Sequence, residues 1–328
     1  MKKISIIGGS GFVGTNLCKL LKLSQTPFEI IDIKPSKQFP DKCKIGNILD
    51  IDAMRKMISG EVIVNLAAVH RDDVDDLSEY QRTNVDGAKN IAQVCLEKGI
   101  KKIIFTSSVA VYGFVEGGIN ENAPTNPFNE YGKTKILAEE VFREWQSFED
   151  NSLIIVRPTV IFGEGNRGNV FNLFSQIASD RFLMVGSGRN KKSMAYIGNV
   201  VAFLDKCIMH DISFGLYNYV DTPDFSMNAL VKYVRYKLKG KNNVGLRIPY
   251  WLGLFFGYVA DGLSKILGRK STLSSIRIKK FSSSTEFLSS KSDLDNFDPP
   301  FSLLEGIERT LHSEFISPDP NREIFYTE

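Results

Sequence analysis

The stretch Ile6–Gly14, "IIGGSGFVG", decides how the fold is read. An apolar run, Ile4 to Ile7, gives way to Gly8, Gly11 and Gly14, and a helical pattern follows. Glycine at these places permits a tight turn and close backbone approach, so the first amides of a helix can meet a pyrophosphate. The spacing is G-x-x-G-x-x-G rather than G-x-G-x-x-G, and alone it is equally the pattern of a plain loop. Asp32 adds a second sign. It ends the next apolar run about twenty residues on, where a carboxylate can accept both hydroxyls of an adenosine ribose and repel a 2′-phosphate. That favours NAD, while Lys34 and Lys37 nearby keep NADP open.

Outward from this loop, short β-branched runs alternate with helical patterns, the rhythm of βαβ units and a parallel sheet. Strands are expected at Ile4–Ile7, Phe28–Ile33, Cys43–Ile45, Val62–Asn65, Ile103–Thr106 and Leu153–Val156, with a late one at Leu216–Val220. Asp50, Thr83 and Asn129 are expected helix caps. The alternation stops after "RPTVIFGEGNRGN", and a more helical, basic and aromatic region follows. The expected fold is α/β: a doubly wound parallel sheet over 1–165, rejoined by a strand near 214–222, with a smaller C-terminal cap over 166–328.

The chain of 328 residues is 43% apolar and 24% charged, as in a globular protein. Cys18, Cys43, Cys95 and Cys207 are unpaired in pattern and only three histidines are present, so neither a disulfide framework nor a metal site is suggested, and a reducing cytoplasm fits. The opening "MKKISIIGG" is too short in its apolar run for a signal peptide. No run reaches the ~18 apolar residues of a membrane span.

Tyr131 and Lys135, in "YGKTK", are one helical turn apart and share a face. A lysine ammonium beside the phenol, with a positive nicotinamide ring, is expected to lower the tyrosine pKa and make Tyr131 a base near neutrality. Such a pair is ordinarily helix surface and gains meaning only beside the dinucleotide loop.

The strings "GGSGFVG", "NLAA", "TNVDG", "FTSSVAVYG", "YGKTK" and "RPTVIFG", in this order, resemble the extended short-chain dehydrogenase/reductase family of nucleotide-sugar epimerases and dehydratases, along the whole chain. The resemblance implies a Rossmann-like domain with a substrate-binding cap, NAD as cofactor, and a Ser, Tyr, Lys site. Carried over onto S-S-x-x-V-Y-G, the catalytic serine is Ser108, with Ser107 as a strand-end neighbour. Gly8, Gly11, Phe12, Val13, Gly14 and Asp32 would surround the adenosine diphosphate. Leu66, Ala67 and Ala68 would line the cofactor, Asn84 would organise the site, and Asn47 and Ile48 would lie beside the adenine, with Asn where the family has Asp. The implied reaction is epimerisation at C4 through a transient 4-keto sugar. Val109 and Ala110 offer neither member of the dehydratases' acidic pair, which disfavours dehydration.

"HRDDV", "NRGNVFNL", "KSMAYIGN" and "YNYVDTPD" are most similar to the branch of bacterial 4-epimerases acting on N-acetylglucosamine-pyrophosphate-undecaprenol, in O-antigen-type polysaccharide synthesis. The substrate is therefore a sugar diphosphate, lipid-linked or UDP-linked. The arginine with which soluble nucleotide-sugar epimerases grip the diphosphate is missing from Met194–Asn199, and Arg157-Pro158-Thr159-Val160 lacks the asparagine of R-x-x-N. Arg167, Lys191 and Lys192 are the candidates to replace those contacts. A non-catalytic NAD-sensing protein is the reading from another class.

Net charge is only +3, yet residues 230–280 hold twelve Lys or Arg against one acid, Asp261, which leaves the rest of the chain at about −8. In "WLGLFFGYVADGLSKILGRK", Leu252, Phe255, Phe256, Val259, Leu263, Ile266 and Leu267 fall on one helical face, and Gly253, Gly257, Asp261, Ser264, Lys265 and Gly268 on the other. Two uses are open: a cap helix packed on the core by its apolar face, or an interfacial helix on an anionic membrane surface, helped by Arg269, Lys270, Arg277, Lys279 and Lys280. The resemblance favours a peripheral protein on the inner face of the bacterial cytoplasmic membrane, without nucleic-acid binding. A homodimer through two long helices is common among proteins of this type.

Overall fold

The structure, a computed structural model, describes residues 2–327 except 72, 73, 75, 115, 116, 149, 268–273, 292, 293 and 295; of residues 264–267 it describes the backbone alone. Asp72 and Asp73 of "HRDDV", and Gly268, Arg269 and Lys270 of the basic segment, lie outside the described residues. So do the side chains of Ser264, Lys265, Ile266 and Leu267.

The first half runs β1 (Ile4–Ile7), α1 (Phe12–Leu23), β2 (Phe28–Asp32), β3 (Cys43–Ile45), α2 (Ile51–Met57), β4 (Val62–Asn65), α3 (Ser78–Tyr80), α4 (Gly87–Lys98), β5 (Lys102–Thr106), α5 (Glu130–Gln146) and β6 (Ser152–Pro158). The second runs β7 (Val160–Phe162), α6 (Asn169–Ala178), β8 (Leu183–Val185), β9 (Lys191–Tyr196), α7 (Ile197–Met209), β10 (Phe214–Tyr219), β11 (Asp221–Ser226), α8 (Met227–Lys239), β12 (Leu246–Ile248), α9 (Tyr250–Leu267), α10 (Ser275–Ser282) and α11 (Leu303–Leu311).

Seven strands form one parallel sheet in the order β10-β6-β5-β4-β1-β2-β3. Ile4 pairs with both Phe28 and Val62, so the order reverses between β1 and β4, and the crevice for a ligand opens beyond their carboxyl ends. The central strands are apolar throughout because both faces are covered. Helix α7 packs against α1 on one face, while α2, α4 and α5 pack together on the other. The late strand expected at Leu216–Val220 is β10, which extends the sheet beside β6.

Two of the three expected caps hold helix ends. Asp50 accepts from Ala53 N at 2.9 Å and Asn129 from Gly132 N at 3.0 Å. Thr83 does not: a π-helical turn over Gln81–Asp86 joins α3 to α4, so Thr83 sits inside a helix that begins earlier.

Helix α9 inverts the simplest packing expectation. Among its described side chains the buried positions are Gly253 and Gly257, whereas Trp251, Phe255, Phe256, Tyr258, Val259 and Leu263 are exposed. A Cβ on Gly253 would stand 2.5 Å from Val185, and one on Gly257 2.9 Å from the Ser275 backbone. The small-residue face therefore allows close approach to β8 and α10, and Asp261 on the same face accepts from Ser275 N at 3.2 Å. The aromatic face points outward. Among the described residues, no helix is long and apolar enough to cross a membrane.

Candidate active site

Gly8, with φ +78, lies in the left-handed region, and a Cβ there would stand 2.7 Å from Ala67 N. A Cβ on Gly14 would stand 2.5 Å from Gly9 Cα, so only glycine lets α1 start this close to β1. On Gly11 it would meet only the Gly8 carbonyl, at 3.4 Å, which is the open side of the loop. Gly11 caps α1 without a side chain, leaving the first-turn amides of Phe12, Val13 and Gly14 to an anionic ligand.

Asp32 stands at the rim of this loop, its carboxylate accepting from Ser10 N and Lys34 N, both at 2.9 Å. It ties the loop to β2 and keeps lone pairs for a ribose diol. Ile48 is buried against Gly87, and exposed Asn47 spends one lone pair of its amide oxygen on Leu49 N at 3.0 Å. Leu66 is held to β1 through the Ile7 carbonyl at 2.8 Å, and Ala67 N donates to Asn65 at 3.1 Å. Ala68 lies next on the same crossing. The residues present fit NAD: an open glycine cradle for its diphosphate and a fixed carboxylate for its ribose.

Beyond β5 the chain turns sharply. Ser108 starts a single turn over Val109–Tyr112, its Oγ accepting from Ala110 N at 3.1 Å. Its hydroxyl also faces the Tyr131 phenol at the first turn of α5, where it favours the phenolate against burial. Lys135 is buried; its Nζ donates to the Thr106 carbonyl at 2.8 Å and stands 4.6 Å from the Phe105 ring centroid and 6.0 Å from that of Tyr131. Ser108, Tyr131 and Lys135 thus converge at the end of β5.

The protein groups alone do not lower the Tyr131 pKa; the positive nicotinamide ring is the other half of that expectation. Burial pushes the phenol up to about 12, with the Ser108 hydroxyl pulling the other way. Burial also pulls the Lys135 ammonium down to about 7, against the Glu139 carboxylate. The protein groups alone therefore keep Tyr131 a phenol at neutral pH.

A stability profile follows. Lys135 titrates near 7 when folded and at its ordinary 10.5 when unfolded, so between these values the unfolded chain holds more protons and stability rises with pH. Tyr131, moved from 10.0 to about 12, acts oppositely above pH 10. The buried thiols of Cys18, Cys95 and Cys207, raised from 9.0, act oppositely too, so Lys135 should lift the unfolding free energy only from pH 7 to about 8.5, by at most about 1.4 kcal/mol per pH unit. Lys135→Met should reduce that rise in chemical denaturation, leaving the part due to Lys192, which burial brings down to about 8; an unchanged slope would assign all of it to other groups.

Residues 4–218 match the NAD dependent epimerase/dehydratase family. The chain belongs to that family. The N-acetyl-alpha-D-glucosaminyl-diphospho-ditrans,octacis-undecaprenol 4-epimerase of Escherichia coli O157:H7 is 45% identical over 332 residues, covering 99% of each chain. The UDP-glucose 4-epimerase of Vibrio cholerae is 28% identical over 326 residues, 95% of each. Among solved structures, the UDP-N-acetylglucosamine 4-epimerase from Bacillus cereus superposes with a TM-score of 0.75 at 16% identity, over 94% of this chain and 98% of that one.

In this member of the epimerase/dehydratase family, Asn84, named from the resemblance, is joined by site features that escaped the sequence. Asn84 accepts from Val69 N at 2.9 Å and donates to Thr134 at 3.0 Å, clamping the loop after β4 to α5. Behind Lys135, the buried Glu139 accepts from Ser107 at 2.5 Å and from Arg157 Nε and Nη2 at 2.8 and 2.5 Å, while Arg157 Nη1 donates to Tyr112 at 2.7 Å. The i, i+4 spacing of Lys135 and Glu139 was the available signal. His70 lies against the carbonyls of Ala68 and Thr327, and Phe325 packs on Phe12 at 5.7 Å between centroids, so the C-terminal segment reaches the cofactor loop.

The family member commits its three candidate diphosphate contacts internally. Arg167 pairs with Glu314 at 2.7 Å and covers Phe171; Lys191 pairs with Glu286 at 3.2 Å; Lys192 donates to the Lys280 carbonyl at 2.7 Å. None is brought to Ser108 or Tyr131 by these contacts.

Proposed function

We propose that this protein is an NAD-dependent sugar 4-epimerase acting on N-acetylglucosamine carried by undecaprenyl diphosphate, at the cytoplasmic surface of a membrane. Tyr131 moves the proton that leaves and returns to the sugar O4, Ser108 orients that oxygen, and Lys135 favours the transient phenolate. NAD, when bound, accepts and returns the C4 hydride. Val109 and Ala110 provide no acid for dehydration. The relative of 45% identity along the full chain supports the lipid-linked substrate.

The observation that carries the membrane part is the outward aromatic face of α9. Its Tyr258 ring lies 5.6 Å from Lys279, and the next residue, Lys280, lies 4.8 Å over Phe128, just before the cap of α5. An apolar surface edged by cations thus leads to the mouth of the site. That pattern suits an anionic bilayer, where each near-surface cation adds about 1 kcal/mol.

Two measurements test this reading. Offered both lipid-linked and UDP-linked N-acetylglucosamine, the purified protein should convert the lipid-linked sugar; conversion of the UDP sugar alone would make it a soluble nucleotide-sugar epimerase. It should also sediment with phosphatidylglycerol vesicles, more at low salt than at high. Serine at Trp251, Phe255 and Phe256 should release it, and undiminished sedimentation would reassign the face to another role.

A further inference from the structure

The loop over 113–129 leaves the catalytic centre beside Tyr112 and returns to it at Asn129. Asn126 N donates to the Val111 carbonyl at 2.9 Å, and the Asn126 carbonyl lies close against Gly113, so the two ends of the loop are held together. On those ends sit Phe114 and Phe128. Their rings form a pair with centroids 4.5 Å apart at 31°, yet they remain 51% and 42% exposed. An exposed, preformed aromatic pair beside reacting groups is the kind of surface that a ligand covers. Lys280 stands over the Phe128 ring, and its carbonyl holds Lys192.

We propose that Phe114 and Phe128 form the subsite for the isoprene units next to the diphosphate of the lipid carrier, with Lys280 as the cation at its edge. The inference rests on the lipid-linked reading above. A carrier substrate has a fixed order: sugar, diphosphate, then branched unsaturated hydrocarbon. With the sugar at Tyr131, the hydrocarbon must leave past the mouth of the site, where this pair stands, linked toward α9 by Lys280 over Phe128 and Lys279 beside Tyr258. Two flat ring faces match isoprene. A nucleoside in the same place would instead need hydrogen-bonding groups for its base.

The test compares two water-soluble diphosphate esters of N-acetylglucosamine, methyl and ten-carbon neryl, on the full chain, so that membrane binding plays no part. The native protein should favour the neryl ester by about tenfold or more in kcat/KM, and Phe114→Ser/Phe128→Ser should bring that ratio near one. A ratio unchanged in the variant, including one in which both rates fall together because the rings hold the sugar, overturns the subsite alone. Turnover of UDP-N-acetylglucosamine with neither ester converted overturns the lipid-linked reading and the subsite with it. Should the double variant fail to fold, the single variants Phe114→Ser and Phe128→Ser should each lower the ratio.

Discussion

Replacing Tyr131 with Phe is expected to lower kcat for C4 epimerisation by about 10²- to 10⁴-fold, the range for removing a positioned acid–base group. The change deletes one oxygen. The ring stays in the first turn of α5, Lys135 keeps its bond to the Thr106 carbonyl, and Ser108 keeps its hold on Ala110 N. Folding should therefore survive, and the loss should fall on kcat rather than on thermal stability. Steady-state turnover with the preferred sugar diphosphate, alongside a melting curve, separates the two. Activity within about twofold of the native protein would exclude Tyr131 as the proton carrier.

Arg157→Met should destabilise the protein by about 3–5 kcal/mol, because it leaves a buried carboxylate without its guanidinium. Glu139 and Arg157 are 3% and 4% exposed and meet through two parallel bonds, at 2.8 and 2.5 Å. The same guanidinium bonds Tyr112, whose hydroxyl reaches Asn218 at 2.8 Å, so β6, the turn after β5, α5 and β10 share one polar network. Adding Glu139→Gln to Arg157→Met should recover much of the loss, since the uncompensated charge goes with it. Urea denaturation of both variants reads the effect. A cost below about 1 kcal/mol for Arg157→Met would mean that water or a rotated partner satisfies Glu139.

Sheet and cofactor loop were legible for local reasons. Runs such as Ile4–Ile7 and Val62–Asn65 are buried on both faces, which forces continuous apolar residues, and strand bounds differ from expectation by one or two residues. Glycines at 8 and 14 record backbone approaches that no side chain fits. Ser107 joins the Glu139 network behind the site, a contact that no spacing along the chain announces. Thr83 misled because a cap residue looks the same inside a helix that starts a turn earlier.

The sequence by itself determined the parallel sheet, the glycine cradle with Asp32 and the shared face of Tyr131 and Lys135, since each follows from spacing along a strand or helix. Tertiary structure alone decided the rest. Periodicity divides α9 into two faces, but which face turns inward depends on how closely a neighbour can approach, and Gly253 and Gly257 admit β8 and α10 where the aromatic rings would not. Likewise, among the protein groups the proton affinities of Tyr131 and Lys135 are set chiefly by burial, which their spacing along the helix does not encode.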